Sequence, residues 1–262
     1  MAKGILDDYF GVDGKIVLIT GGSRGIGEAI AAAFVEAGAK VYICSRSESA
    51  CASAAARLGQ KGLCVALPAD LSTDAGRRQL AAELARREDR LDVLINNAGV
   101  IWAAPLAEYP EAGWDKVFDL NVKGLFFLIQ ALVPLLRKSG RHESPARIIN
   151  VGSIDGFHVP KHETNAYSAS KAALHHLSRH LADQLAPTHV TVNVIAPGMF
   201  PSKMMKGTLD KLGEAKIVEK VPLRRLVNNV DMAAAAIYLA SKASSYVTGA
   251  VLPVDGGTAT VL

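Results

Sequence analysis

Short apolar runs alternate with longer stretches of helical periodicity along almost the whole chain. IVLIT (16–20) is a β-branched apolar run that ends in glycines, and EAIAAAFVEAG (28–38) follows with helical character. The alternation then repeats. KVYIC (40–44) predicts a strand, 48–58 a helix, LCVALPAD (63–70) a strand, 73–87 a helix and LDVLIN (91–96) a strand. A long helix is predicted over 114–138, a strand over 147–153, a helix over 164–186, a strand over 190–197, a helix over 231–241 and a last strand over 250–257. Near-continuous apolar strands separated by helices predict a parallel sheet covered on both faces, the doubly wound α/β class of Rossmann type. No repeat or linker separates two cores, so residues 1–262 are expected to form one domain. Two segments break the rhythm: the polar connection 139–146 and the stretch 198–216, which follows a strand end and is a candidate substrate lid.

Composition narrows the class. Half of the residues are hydrophobic and 21% are charged, which excludes a disordered chain. The balance of 29 Lys and Arg against 25 Asp and Glu gives a net charge of +4 without a basic run, so nothing calls for nucleic acid. No stretch reaches the roughly 20 uninterrupted apolar residues of a membrane span, and no signal peptide opens the chain. Cys44, Cys51 and Cys64 lack metal spacing and read as reduced thiols, which predicts a cytoplasmic protein. His176 and His180 have metal-compatible spacing, but with no third ligand in context they, like His175, are expected at the helix surface or a subunit contact.

Between the first strand and helix lies TGGSRGIG (20–27). Gly21, Gly25 and Gly27 permit a tight turn and close backbone approach; with Ser23, Arg24 and Ile26 they form a candidate pyrophosphate cradle at a helix N-terminus. An acidic residue near the end of the second strand would select NAD(H), but Ser45 and Arg46 stand there. Arg46 and Arg24 suit a 2′-phosphate, so NADP(H) is the predicted cofactor. Asp70, ending the third strand, is a helix cap or an adenine contact.

Tyr167 and Lys171 in YSASK share a helix face, and a nearby ammonium is expected to lower the tyrosine pKa and fit it for general acid–base work. Ser153 closes the preceding strand and can polarise a carbonyl. Asn121 lies in a helical stretch that does not favour it. TGGSRGIG, NNAG (96–99), Asn121, Ser153, YSASK and Pro197-Gly198 together resemble the short-chain dehydrogenase/reductase family from about Lys15 to Gly257.

The resemblance implies a Ser153–Tyr167–Lys171 triad with Asn121 holding a relay water, and Lys171 on the nicotinamide ribose. It also implies that Leu71 lies with Asp70 at the adenosine end, that Asn97 and Gly99 shape the crevice, that Val122 flanks the adenosine ribose, and that Pro197, Gly198, Phe200 and Ser202 face the nicotinamide. A homotetramer packed through the helices at 114–138 and 164–186 is implied as well. Within the family, ICSRSESAC, YPEAGWDKV and IAPGMFPSKM resemble β-ketoacyl reductases of the rhamnolipid-biosynthesis branch, so the implied substrate is a β-ketoacyl thioester. An acyl carrier protein is a candidate partner, met by Arg141, Lys203 or Lys206, or else these are solvated surface charges. Phe157, His158 and Phe200 line an acyl pocket or cover the core. Competing readings are a dehydrogenase for sugars, steroids or small ketones, and a non-catalytic dinucleotide sensor.

Overall fold

The computed structural model describes residues 4–202, 205, 207, 209–210 and 213–259. Seven parallel strands form one sheet: β1 (Ile16–Thr20), β2 (Lys40–Cys44), β3 (Cys64–Ala66), β4 (Val93–Asn96), β5 (Ala146–Val151), β6 (Val190–Pro197) and β7 (Val251–Val254). Their spatial order is β3-β2-β1-β4-β5-β6-β7. The order reverses between β1 and β4, and a crevice opens beyond the carboxyl ends of strands at such a switch point. Nine α-helices are described: α1 (Ile5–Phe10), α2 (Gly25–Glu36), α3 (Glu48–Leu58), α4 (Asp74–Arg87), α5 (Glu111–Phe118), α6 (Leu125–Ser139), α7 (Asn165–Leu185), α8 (Glu214–Val218) and α9 (Asn229–Ala240).

Period-two alternation within buried strands builds two cores. Val17 and Ile19 of β1 face Ile30 and Phe34 of α2 and Met232 of α9. Leu18 points the other way, toward Leu84 of α4, Leu128 and Leu132 of α6 and Leu174 of α7. Each such fully buried aliphatic side chain contributes about 1.5–3 kcal/mol. Both faces being covered explains why the strands read as unbroken apolar runs.

Several expected boundaries change. The strand predicted over 63–70 is only three residues long, and the last strand is half its predicted length. The helix predicted over 114–138 is three pieces, because a π-helical turn, Asp119–Gly124, joins α5 to α6. Such turns gather at functional sites. The rod from Glu111 to Ser139 is long and apolar enough to cross a membrane. Here its apolar stripe is spent on the sheet: Leu125, Leu128, Leu132 and Leu136 are all buried in the second core.

Candidate active site

The phosphate turn is tied to its neighbours through main chain. Gly21 N–H donates to the Cys44 carbonyl at 2.7 Å, which sets the turn beside Ser45 and Arg46 at the end of β2. Across the switch point, Thr20 Oγ1 accepts the N–H groups of Asn97 and Ala98, both at 3.0 Å, and Asn97 Nδ2 donates to the Thr20 carbonyl at 3.0 Å. Gly21 has φ +67°, and a Cβ there would lie 2.6 Å from Asn97 Nδ2. A Cβ on Gly27 would overlap the Gly21 carbonyl. Gly25, at φ +58°, faces open space with nothing within 4 Å. A side chain would obstruct this hollow at the N-terminus of the twelve-residue α2, so the cradle fits a pyrophosphate.

Arg24 and Arg46 are exposed beside the turn, and no ion pair between described residues engages either. Asp70 accepts Ser72 N–H at 3.0 Å and Ser72 Oγ–H at 2.7 Å. Partial burial opposes its ionisation, but the Ser72 hydrogen bonds and the nearby Arg46 charge outweigh that and hold the carboxyl below its ordinary range. It does not cap α4; Thr73 does, accepting Gly76 N–H at 3.1 Å. Leu71 is buried in the second core, and its carbonyl accepts Arg77 Nη1–H at 2.9 Å.

The other half of the crevice is built at the ends of β5 and β6. Ser153, buried, follows β5; its Oγ accepts the Asp155 N–H at 3.2 Å within a 3₁₀ turn, Ile154–Gly156, and its hydroxyl lies near the Tyr167 phenol. Lys171 is 5% exposed, donates from Nζ to the Val151 carbonyl at 2.8 Å and lies 5.5 Å above the Tyr167 ring centre. Asn121, on the π turn, pairs with Val100 through both amide atoms, accepting its N–H at 2.9 Å and donating to its carbonyl at 3.0 Å. Its Nδ2 also donates to Ser170 Oγ at 3.1 Å. Gly99 packs between them, its missing Cβ 3.4 Å from Asn121 Oδ1 and 3.8 Å from Lys171 Nζ. The four residues expected to work together do converge, and the Asn121 amide visibly knits the 97–100 loop to α7.

One expectation is corrected here. The ammonium was expected to lower the Tyr167 pKa, yet burial pushes the phenol up to about 12, with the nearby Ser153 hydroxyl opposing and the Asp155 charge reinforcing the rise. Burial also pushes Lys171 down to about 8, against the raising influence of Asp155. Desolvation therefore favours a neutral phenol, the form that donates a proton.

At the far side, Pro197 ends β6, and Gly198 admits Asp255, whose Cα would lie 2.8 Å from a Cβ there. Phe200 is buried against the first core and so covers the core, while Ser202 lies partly exposed, its carbonyl accepting Met205 N–H at 3.0 Å. Lys203 and Lys206 lie outside the described residues. Arg141 is at the wrong end of the molecule: it precedes β5, whereas the crevice follows it, and its Nη1 donates to the carbonyls of Lys138 and Gly140. Six strand residues, roughly 20 Å, separate the two edges.

Two groups beside the site carry no signal in the sequence. Asp155 carries no motif. His175, expected at the helix surface, is buried beneath the Ser153 turn, where a Cβ on Gly152 or Gly156 would overlap its ring. Burial and the Lys171 charge push its pKa down to about 4, so the ring is neutral. Phe157, half-exposed, packs on it at 5.6 Å between ring centres, and His158 keeps a buried Nδ1 without a hydrogen-bond partner. His176 and His180 are exposed, and no group of three metal-binding side chains occurs among the described residues.

Known proteins share both the sequence and the fold. A family model described as enoyl-(acyl carrier protein) reductase matches residues 21–259. A rhamnolipids biosynthesis 3-oxoacyl-(acyl-carrier-protein) reductase of Pseudomonas aeruginosa is 50% identical over 250 residues, 95% of this chain and 98% of that protein. The solved P. aeruginosa RhlG/NADP active-site complex superposes with a TM-score of 0.93 at 50% identity, covering 96% of this chain and 99% of that one. A gluconate 5-dehydrogenase from Burkholderia cenocepacia J2315, in complex with NADP and tartrate, gives a TM-score of 0.90 at 30% identity over 97% and 99% of the two chains. The chain belongs to the short-chain dehydrogenase/reductase family of oxidoreductases.

Proposed function

We propose that this protein reduces a 3-oxoacyl thioester to the 3-hydroxyacyl thioester with NADP(H). The observation that carries the reading is the Ser153–Tyr167–Lys171 cluster, with Ser153 and Lys171 buried, beside the glycine cradle. The thioester comes from the P. aeruginosa reductase at 50% identity. When bound, the nicotinamide supplies the hydride. The α2 amides and Gly25 receive the pyrophosphate, and Arg24 and Arg46 take the 2′-phosphate. Asp70 and Leu71 sit at the adenosine end, while Asn97, Gly99, Pro197, Gly198, Phe200 and Ser202 bound the crevice.

Ser153 Oγ–H polarises the substrate carbonyl, and Tyr167 donates its phenolic proton to the oxygen as negative charge develops there. Lys171 supplies the positive charge that steadies the resulting phenolate and holds the ribose. Asn121 maintains the loop and α7 at the spacing through which Tyr167 is reprotonated from solvent. The exposed aromatics Trp114 and Phe127, with an apolar hollow of about 310 Å³ lined by Phe118, Val122, Phe126 and Leu177, support a homotetramer packed through α5, α6 and α7. The acyl group arrives on an acyl carrier protein, in the cytoplasm.

The test is NADPH oxidation by the purified protein with a 3-oxoacyl thioester, beside NADH and a panel of sugar and small ketones. NADPH-dependent turnover of the thioester is expected. Turnover confined to the other carbonyls would transfer the same chemistry to a different substrate, and NADPH binding without any turnover would make the chain a dinucleotide sensor.

A further inference from the structure

The face of α7 that carries Lys171 meets the end of β5 through three side chains. Lys171 Nζ donates to the Val151 carbonyl at 2.8 Å, and Ser178 Oγ accepts from Asn150 Nδ2 at 2.9 Å. Both bonds end on β5 itself, short of Ser153. His175, one helical turn beyond Lys171 on the same face, reaches further, into the turn that carries Ser153.

A Cβ on Gly152 would lie 2.3 Å from His175 Nε2 and 2.9 Å from Cδ2, and a Cβ on Gly156 would lie 2.4 Å from Cε1. Neither glycine has a positive φ, so backbone angles do not require it; at both, the ring stands where a side chain would. The ring is thus wedged against the main chain before and after Ser153. Nε2, on the edge facing Gly152, is buried with no hydrogen-bond partner among the described residues, so the contact there is one of shape. Phe157 packs on the ring at 5.6 Å between centres.

The turn itself is a unit. The Gly156 N–H donates to the Ser153 carbonyl at 3.1 Å, the Phe157 N–H to the Ile154 carbonyl at 3.0 Å, and the Asp155 N–H to Ser153 Oγ at 3.2 Å. From β6 the Ile195 carbonyl holds the Gly152 N–H at 2.7 Å, which leaves the ring as the support on the α7 side.

We propose that His175 is a positioning residue for the reaction: the turn from Gly152 to Gly156 is seated on its ring, which fixes Ser153 Oγ relative to the Tyr167–Lys171 pair on the same helix. The proposal rests on the reading of Ser153 as the hydroxyl that polarises the substrate carbonyl. That carbonyl must meet Ser153 and Tyr167 at once, and a misplacement of about 1 Å can cost about 10²-fold in rate.

The test is a double-mutant cycle with acetoacetyl-CoA and NADPH. His175→Ala alone is expected to lower kcat by about 10–100-fold with KM and the NADPH Kd little altered. Added to Ser153→Ala, it should change kcat by less than about twofold, because the group it positions is gone. His175→Asn, which leaves a smaller gap, gives the same cycle should the alanine variant fail to fold. A loss of equal size in both backgrounds would show that His175 acts on the fold at large, and no loss with Ser153 present would show that the turn keeps its place without the ring. Either result overturns the proposal.

Amide hydrogen exchange supplies a readout without substrate. In the His175 variant exchange should rise at residues 153–157, while β4 and β5 keep their wild-type protection. A rise throughout the sheet, or none in the turn, would refute the positioning role. If wild type does not reduce acetoacetyl-CoA, the substrate reading fails while the exchange measurement still decides the present proposal.

Discussion

The two halves of the crevice are made in opposite ways. At the end of β1 the chain withholds atoms: Gly25 faces open space, and side chains on Gly21 or Gly27 would collide with Asn97 or the turn itself. At the end of β5 it packs atoms: His175 fills the space under Gly152 and Gly156, and Asn121, Ser153 and Lys171 are buried among one another's partners. In the proposed reading the first half recognises its ligand through backbone amides, so its side chains matter by being absent. The second holds ionisable side chains whose proton affinities are set by burial, so their neighbours matter as much as they do.

The largest effect should come from the packed half. Tyr167→Phe removes the proton donor and should lower kcat by about 10²–10⁴-fold with NADPH affinity retained, measured by turnover and by a binding titration. The open half should fail differently. Arg46→Ala is expected to cut the preference for NADPH over NADH by about 10–100-fold, the worth of one or two charge-assisted hydrogen bonds, with kcat for the NADPH reaction little altered.

A pair of glycine substitutions sharpens the contrast further. Gly152→Ala forces a methyl into the His175 ring and against Val194 Cγ1, an overpacking cost of about 1–3 kcal/mol in urea unfolding together with a fall in kcat, and adding His175→Ala should recover part of both. Gly25→Ala meets no atom and should cost only about 1–2 kcal/mol of left-handed backbone strain, while weakening NADPH.

The last effect concerns pH. His175 takes up a proton near pH 4 in the folded protein but near its ordinary value of 6.5 when unfolded. Its contribution to stability is therefore complete above about pH 6.5 and is lost as the pH falls toward 4, about 3 kcal/mol in urea titrations. The difference between wild type and His175→Asn isolates this share.

The same contrast explains what could be read from sequence. TGGSRGIG is contiguous and lies between a strand and a helix, so local chemistry is enough to assign it. The strand–helix alternation likewise fixed the sheet class, since buried parallel strands are apolar throughout. Tyr167 and Lys171 are one helical turn apart and were equally legible. What surrounds them was not. His175 sits in a run of histidines that reads as surface until the docking of the Ser153 turn buries it, and Asp155 belongs to no pattern at all. The sign of the Tyr167 shift was misjudged for the same reason: proximity of an ammonium is local, whereas desolvation is a property of the assembled site. Arg141 illustrates the topological version of the problem, because the polarity of a parallel sheet decides which loops can reach a crevice.

The account depends most on proton donation by Tyr167 to a thioester ketone. The direct test follows NADPH consumption and 3-hydroxyacyl thioester formation together, in wild type and in Tyr167→Phe shown to bind NADPH. The prediction is one product per NADPH in wild type and near-complete loss of both in the variant. Undiminished product formation by Tyr167→Phe would contradict it.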